Sequence, residues 1–114
     1  MERNSLTKKT LEERLGTLPI FRTLGLRLEA VSEGKATLIA PYDRRYDGIF
    51  ESFHGGLLMT LADTAACVAV ATLAGASAAV TTTDMNIRFL VACRSACRAE
   101  ATSSSLERRF VPCR

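Results

Sequence analysis

The segment His54-Gly55-Gly56-Leu57-Leu58-Met59-Thr60-Leu61-Ala62-Asp63 places the chain's only histidine, two glycines and a carboxylate at the entrance to a very apolar stretch. Glycine lets a ligand come close to the backbone. A helix that begins here leaves its first N–H groups unpaired and turns their partial positive charge toward whatever binds. Asp63 then falls about two turns into the helix. Acyl-transfer chemistry needs these two parts: N–H donors for a developing oxyanion, and a carboxylate that attacks or activates water.

The element that must position them is legible. Residues 57 to 74 contain no Pro or Gly and are dominated by Ala and Leu, which are strong helix formers. Thr60, Asp63, Thr64 and Cys67 follow the spacing i, i+3, i+4, i+7, one narrow polar stripe on an apolar cylinder. A helix apolar on nearly all sides is usually buried. The expectation is therefore a carboxylate at Asp63 inside a core, costly unless paired or functional.

These residues, followed by Thr82-Thr83-Asp84-Met85-Asn86-Ile87-Arg88-Phe89-Leu90, resemble the hotdog-fold acyl-CoA thioesterases of the phenylacetate-pathway (PaaI-like) type, in the 4-hydroxybenzoyl-CoA thioesterase superfamily. The resemblance runs from about Leu24 to about Cys93. It implies an α+β fold in which a curved antiparallel sheet wraps around the long central helix. It also implies dimers, often paired into tetramers, whose active sites lie at the subunit interface. Asp63 matches the family's catalytic carboxylate. Gly55 matches the backbone N–H that polarises the thioester carbonyl, and His54 the histidine beside that carbonyl or the leaving sulfur. Thr82 falls where related enzymes place a hydroxyl near the attacking water. Gly56, Gly48, Phe53 and Thr64 are the substrate-binding candidates, with Tyr46, Ile49 and Phe50 as further loop residues for an acyl pocket. Each has a plainer reading: a dipole-stabilised aspartate for Asp63, a flexible helix entry for Gly55, a structural hydrogen-bonder for His54, and strand propensity for Thr82. One departure stands out. Many relatives carry an asparagine six residues before the histidine, and this chain has Gly48.

Composition sets the frame. At 114 residues the chain is one domain, and its 47% hydrophobic and 24% charged content is ordinary for a globular protein. The net charge of +3 suits an anionic substrate such as a coenzyme A ester. The arginines are scattered without interleaved aromatics, which argues against a nucleic-acid partner. Coenzyme A enters as part of the substrate, so no separate cofactor is implied. The polar N-terminus is followed by no apolar signal core, and the expected location is cytoplasmic. Residues 57 to 80 are long enough to raise the question of a membrane span. Asp63, the threonines and the prevalence of Ala favour a buried helix instead. Cys67, Cys93, Cys97 and Cys113 read as free thiols, and a zinc site would lack ligands.

Along the chain, Ser5 or Thr7 caps a first helix ending near Leu15 and Gly16. Pro19-Ile20-Phe21 reads as a turn with an apolar anchor. Leu24, Leu26, Leu28 and Ala30 alternate with polar residues as one strand, Glu33-Gly34 turns, and residues 35 to 40 form a second strand stopped by Pro41. Residues 42 to 53 are a polar loop, and residues 80 to 90 give the longest strand signal, with Met85, Ile87 and Phe89 on one face. The single domain thus divides into an N-terminal helix and turn (1–23), a core (24–101) and an atypical tail (102–114). The tail has no period-2 pattern. Under one choice of codons, skipping two nucleotides at Thr102 reads Val-Ile-Lys-Leu-Gly. The expectation is a truncated or frame-shifted C-terminus whose last strands are replaced by unrelated sequence. Two functions stay open: an acyl-CoA thioesterase, or a non-catalytic hotdog module that binds acyl-CoA or only dimerises. Exposed sheet edges predict at least a homodimer.

Overall fold

The computed structural model describes residues 7–75 and 81–103. Helix α1 (Lys8–Gly16) is capped by Thr7, whose hydroxyl accepts the Thr10 N–H. It lays Leu11 and Leu15 on the core. Where the sequence suggested a turn, Pro19 opens a one-turn helix α2 (Pro19–Thr23), its missing N–H costing nothing at that position. Phe21 anchors it.

Strands β1 (Arg27–Ser32), β2 (Lys35–Ala40) and β3 (Cys97–Thr102) form an antiparallel sheet in the order β1-β2-β3. Gly34 adopts φ +74° in the β1–β2 turn, a conformation that favours glycine. The alternation of β1 breaks at a bulge between Leu28 and Ala30. Leu28 is buried, but the extra residue flips the phase, so Ala30 is exposed and Val31 packs against the core instead. Every residue of β3 pairs with β2, from Cys97 with Ala40 to Thr102 with Lys35. The ordered core therefore extends past Ala101, and Ser103 N–H donates to Gly34 O. The remainder of the tail, 104 to 114, lies outside the described residues, as do Ser5 and Cys113.

Helix α3 (Gly55–Ala74) crosses β2 and β3 and ends at Gly75, which adopts φ +99°. Leu61, Ala65, Val68 and Ala69 join Leu28, Ala36, Leu38 and Ala101 in one core. By length and composition α3 could cross a membrane, but here the sheet takes one of its faces. The other face is only partly covered. Consequently Asp63 is not buried, and no charged or polar side chain among the described residues is. That corrects the expectation of a core carboxylate. Residues 81 to 90 also differ from the strand expected there. They have no regular structure among the described residues, although Met85 and Ile87 are half-buried and Thr82, Asp84, Asn86 and Arg88 are exposed. The alternation survives, but a strand needs a neighbour for its ladder, and none of the three described strands pairs with this segment.

The turn at Gly34 is locked to α3. Its buried N–H donates to Thr72 Oγ1 at 2.7 Å. Thr72→Val keeps the shape and removes the acceptor, and should cost about 1–3 kcal/mol of stability. Urea unfolding checks this: the midpoint should fall with the slope unchanged, and an unchanged midpoint would refute the coupling.

Candidate functional site

The loop between β2 and α3 is built to deliver His54. Asp43 accepts the Arg45 N–H at 3.0 Å and starts a 3-10 turn over Arg44–Tyr46. The Arg45 guanidinium, 2.7 Å from Asp43, holds that carboxyl below the usual range. Tyr46 O then accepts the His54 N–H at 2.9 Å. A second hairpin follows within the loop. Asp47 bridges Phe53, Gly48 N–H donates to Ser52 O, and Glu51 sits at φ +57°. Arg94 Nε donates to Glu51 O, and Phe53 N–H donates to Cys93 O. Tyr42 gives its hydroxyl proton to Asp47 at 2.8 Å and stacks at a tilt on Phe53.

His54 is the N-cap of α3; it accepts the first regular helical bond, from Leu58, and satisfies two of the helix's orphan donors, Gly56 and Leu57. Its carbonyl accepts from Leu57 and Leu58, and its Nδ1 accepts from Gly56 N–H at 3.0 Å. The neutral ring therefore carries its proton on Nε2. Among the described residues the Gly55 N–H has no partner. A Cβ on Gly56 would stand 3.2 Å from His54 Nδ1, and one on Gly55 would stand 3.2 Å from the Phe89 ring. The two glycines keep room for the imidazole and the ring. Position 48 lies against His54 as well: a Cβ there would be 3.6 Å from His54 Cα and 3.7 Å from its Cδ2, ordinary contact.

Asp63 forms a second cluster. Thr82 Oγ1 donates to Asp63 Oδ1 at 2.5 Å, and Cys67 Sγ lies 3.7 Å from the same hydroxyl. Thr64 turns its hydroxyl back to Thr60 O. The eight steps from Gly55 to Asp63, at about 1.5 Å rise each, separate the clusters by about 12 Å. They open into different cavities. One of about 420 Å³ takes in His54, Gly56, Tyr46 and Thr60. The other, about 720 Å³, takes in Asp63, Thr64 and Cys67 together with the apolar side of α1. Phe53 is 4% exposed and, like Gly48, lines neither cavity. The structure thus brings His54, Gly55, Gly56 and Gly48 together, and Asp63, Thr64 and Thr82 together, but joins the groups within no single chain. The Tyr42–Asp47 bond was not read from the sequence. Its only signal is an i, i+5 spacing across a turn.

A model of the family described as a domain of unknown function, DUF4442, matches residues 8–111. The chain belongs to the DUF4442 family. Curated proteins offer no match. Solved structures do. A thioesterase family protein from Silicibacter pomeroyi is 25% identical, with a TM-score of 0.84 over 89% of this chain and 75% of its own. A thioesterase from Haemophilus influenzae is 27% identical, with a TM-score of 0.80 over 95% of this chain and 76% of its own. The PaaI protein of the E. coli phenylacetic acid degradation operon shares the fold at 23% identity, TM-score 0.73, over 88% and 72%. This DUF4442 chain has the hotdog fold of the thioesterases, PaaI-like members included.

The loop carries its own pH signature. The hydrogen bond to Asp47 raises the Tyr42 hydroxyl above the ordinary tyrosine value of 10.0. The fold favours the neutral phenol, so this contribution to stability is full below that value and is lost as pH rises through the folded one. Of the chain's two tyrosines, one should ionise late in an ultraviolet titration, and Asp47→Asn should bring it back to the ordinary range. Two normal, superimposed titrations in the wild type would contradict the bond.

Proposed function

We propose that this DUF4442 protein is an acyl-CoA thioesterase whose active site is assembled by two subunits. His54 and Gly55 of one subunit face Asp63 and Thr82 of its partner. The observation that carries the reading is the pairing of a Gly55 N–H that has no partner among the described residues, at a helix start, with a carboxylate held by Thr82 about 12 Å along the same helix. A thioester carbonyl reaches both only if they come from different copies. The named activity of the relatives supports hydrolysis. The Haemophilus protein is a thioesterase of class EC 3.1.2. The net charge of +3 suits the phosphates of coenzyme A.

In this mechanism the substrate carbonyl oxygen accepts the Gly55 N–H, with the helix N-terminus behind it, and the charge of the tetrahedral intermediate develops there. The Asp63 carboxylate supplies the electron pair, either by attacking the carbonyl carbon or by taking a proton from the attacking water. The Thr82 hydroxyl fixes the orientation of that carboxylate. If Asp63 attacks, C–S cleavage leaves an acyl anhydride on its carboxylate, which water then hydrolyses to the free acid. If Asp63 acts as base, C–S cleavage gives the acid directly. On both routes the consumed water supplies the proton with which coenzyme A leaves as its thiol. Like the cytoplasmic setting, the dimer belongs to this proposal.

The second reading, a hotdog module that binds acyl-CoA without turnover, draws on Gly48. A residue beside His54 that could offer a polar side chain offers none. Calorimetric binding of an acyl-CoA with no thiol release would favour it.

Thiol release from a panel of acyl- and aryl-CoAs tests the proposal. Asp63→Asn should lower turnover by about 100-fold or more with the fold intact. Equal rates for wild type and Asp63→Asn would sink the assignment. Gly48 has no positive φ, and a Cβ there would make only ordinary van der Waals contacts with His54 and Ser52. Gly48→Asn should therefore fold normally and raise turnover by about 10-fold if a side-chain donor helps at this position. An unchanged rate would mean that Gly55 suffices.

A further inference from the structure

Two large apolar side chains stand out in solvent at the tip of the loop that presents His54: Ile49 is 88% exposed and Phe50 is 79% exposed. They are not there by slackness. Gly48 N–H bonds to Ser52 O, Glu51 N–H bonds to Gly48 O, and Asp47 bridges Phe53, so the tip is a closed hairpin. Glu51 holds the left-handed φ of +57° that the hairpin requires, a conformation unusual for a residue with a side chain. A fixed hairpin displaying an isoleucine and a phenylalanine to water is unfavourable unless something covers them.

The complementary surface lies beside the other half of the site. The cavity of about 720 Å³ runs between α1 and α3, with Leu11, Leu15, Leu18, Val68 and Ala71 along it and Asp63 and Cys67 in its wall. Leu18 is itself an exposed apolar side chain. Asp63 therefore opens onto an apolar groove, while His54 stands next to an apolar tip.

The composite site proposed above fixes how these features meet. For Gly55 of one copy to share a carbonyl with Asp63 of the other, the start of one α3 must approach the middle of the other. The tip lies only four residues before His54 and is carried along. We propose that Ile49 and Phe50 of one subunit seat in the α1–α3 groove of its partner, where they wall the acyl pocket and set which acyl groups fit. The inference rests on the two-subunit reading of the site. It adds specificity-determining residues supplied in trans, and it makes α1 part of the substrate-binding surface. An apolar acyl group, aliphatic or aromatic, would lie along Leu11, Leu15, Leu18, Val68 and Ala71, while Thr10, Glu13, Arg14 and Thr17 make up the polar part of the same lining.

The test uses a thiol that is already present. Cys67 lines the groove and is free. Phe50→Cys, oxidised with diamide at a concentration where the protein is dimeric, should give a disulfide-linked dimer on a non-reducing gel. Phe50→Cys/Cys67→Ser should give none. This readout needs no turnover, so it stands or falls separately from thioesterase activity. Absence of the linked dimer, or an equal yield without Cys67, would overturn the docking. If the enzyme turns over, Phe50→Ala should lower kcat/KM for the best apolar acyl-CoA by about 10-fold, mainly through KM. It should also flatten the preference among acyl groups. An unchanged substrate profile would overturn the specificity role.

Discussion

The backbone donors at the start of a helix must be satisfied, and how α3 solves that problem organises the rest of the molecule. His54 takes the Leu57 and Leu58 N–H groups on its carbonyl and the Gly56 N–H on its ring. One residue thus consumes the donors around Gly55 and leaves that N–H without a partner among the described residues, at the positive end of a 20-residue helix. The loop before it exists to hold His54 in the capping position. The Asp43 cap, the 3-10 turn and the Tyr46 carbonyl lead to its N–H, while the Cys93 carbonyl pins the residue before it. Fold stability and the candidate chemistry meet at the same atoms, because a substitution that loosens the cap also redistributes the donors.

The second constraint is geometric. A straight helix cannot bend its start onto a residue two turns along, so Gly55 and Asp63 cannot converge within one chain. The sheet covers only one face of α3, and residues 81 to 90, though Met85 and Ile87 are half-buried, pair with none of the described strands. Phe89, Leu90 and Val91 remain exposed. One subunit thus has both unspent apolar surface and a divided site, and the proposed pairing with a second copy would answer both.

Much of this was legible in the sequence because local physics writes it there. The β1–β2 hairpin follows from period-2 alternation and a glycine at the turn, and α3 from an Ala- and Leu-rich run that ends at Gly75. The meeting of His54 with both glycines follows from their adjacency. What was not legible depends on tertiary context. The bulge in β1 costs one residue and leaves no mark in composition, yet it exchanges Ala30 for Val31 at the core. The strand signal of residues 80 to 90 is genuine alternation, but a ladder is a property of two segments. Asp63 looked core-buried because a helix apolar all round usually is, and the sheet covers only one side. The packing of Phe53, a substrate-binding candidate, on the Tyr42 ring left no mark in the sequence pattern either. The Asp63–Thr82 bond spans 19 residues, and sequence pattern alone could not place those two atoms together.

The central claim is that one subunit supplies the Gly55 N–H and the other supplies Asp63. Gly55→Pro tests the first half, with the half-exposed Phe89 ring, 3.2 Å from the new Cβ, having to shift by a few tenths of an ångström. It deletes the N–H at the first helical position, where proline is tolerated, and His54 before it already has the extended backbone that proline requires. Asp63→Asn removes the second half. Each homodimer should be inactive. A heterodimer of the two variants, isolated through different affinity tags, contains one site with both intact halves and one with neither. Thioesterase activity of about half the wild-type dimer is the predicted result. A heterodimer as inactive as its parents would contradict a shared site.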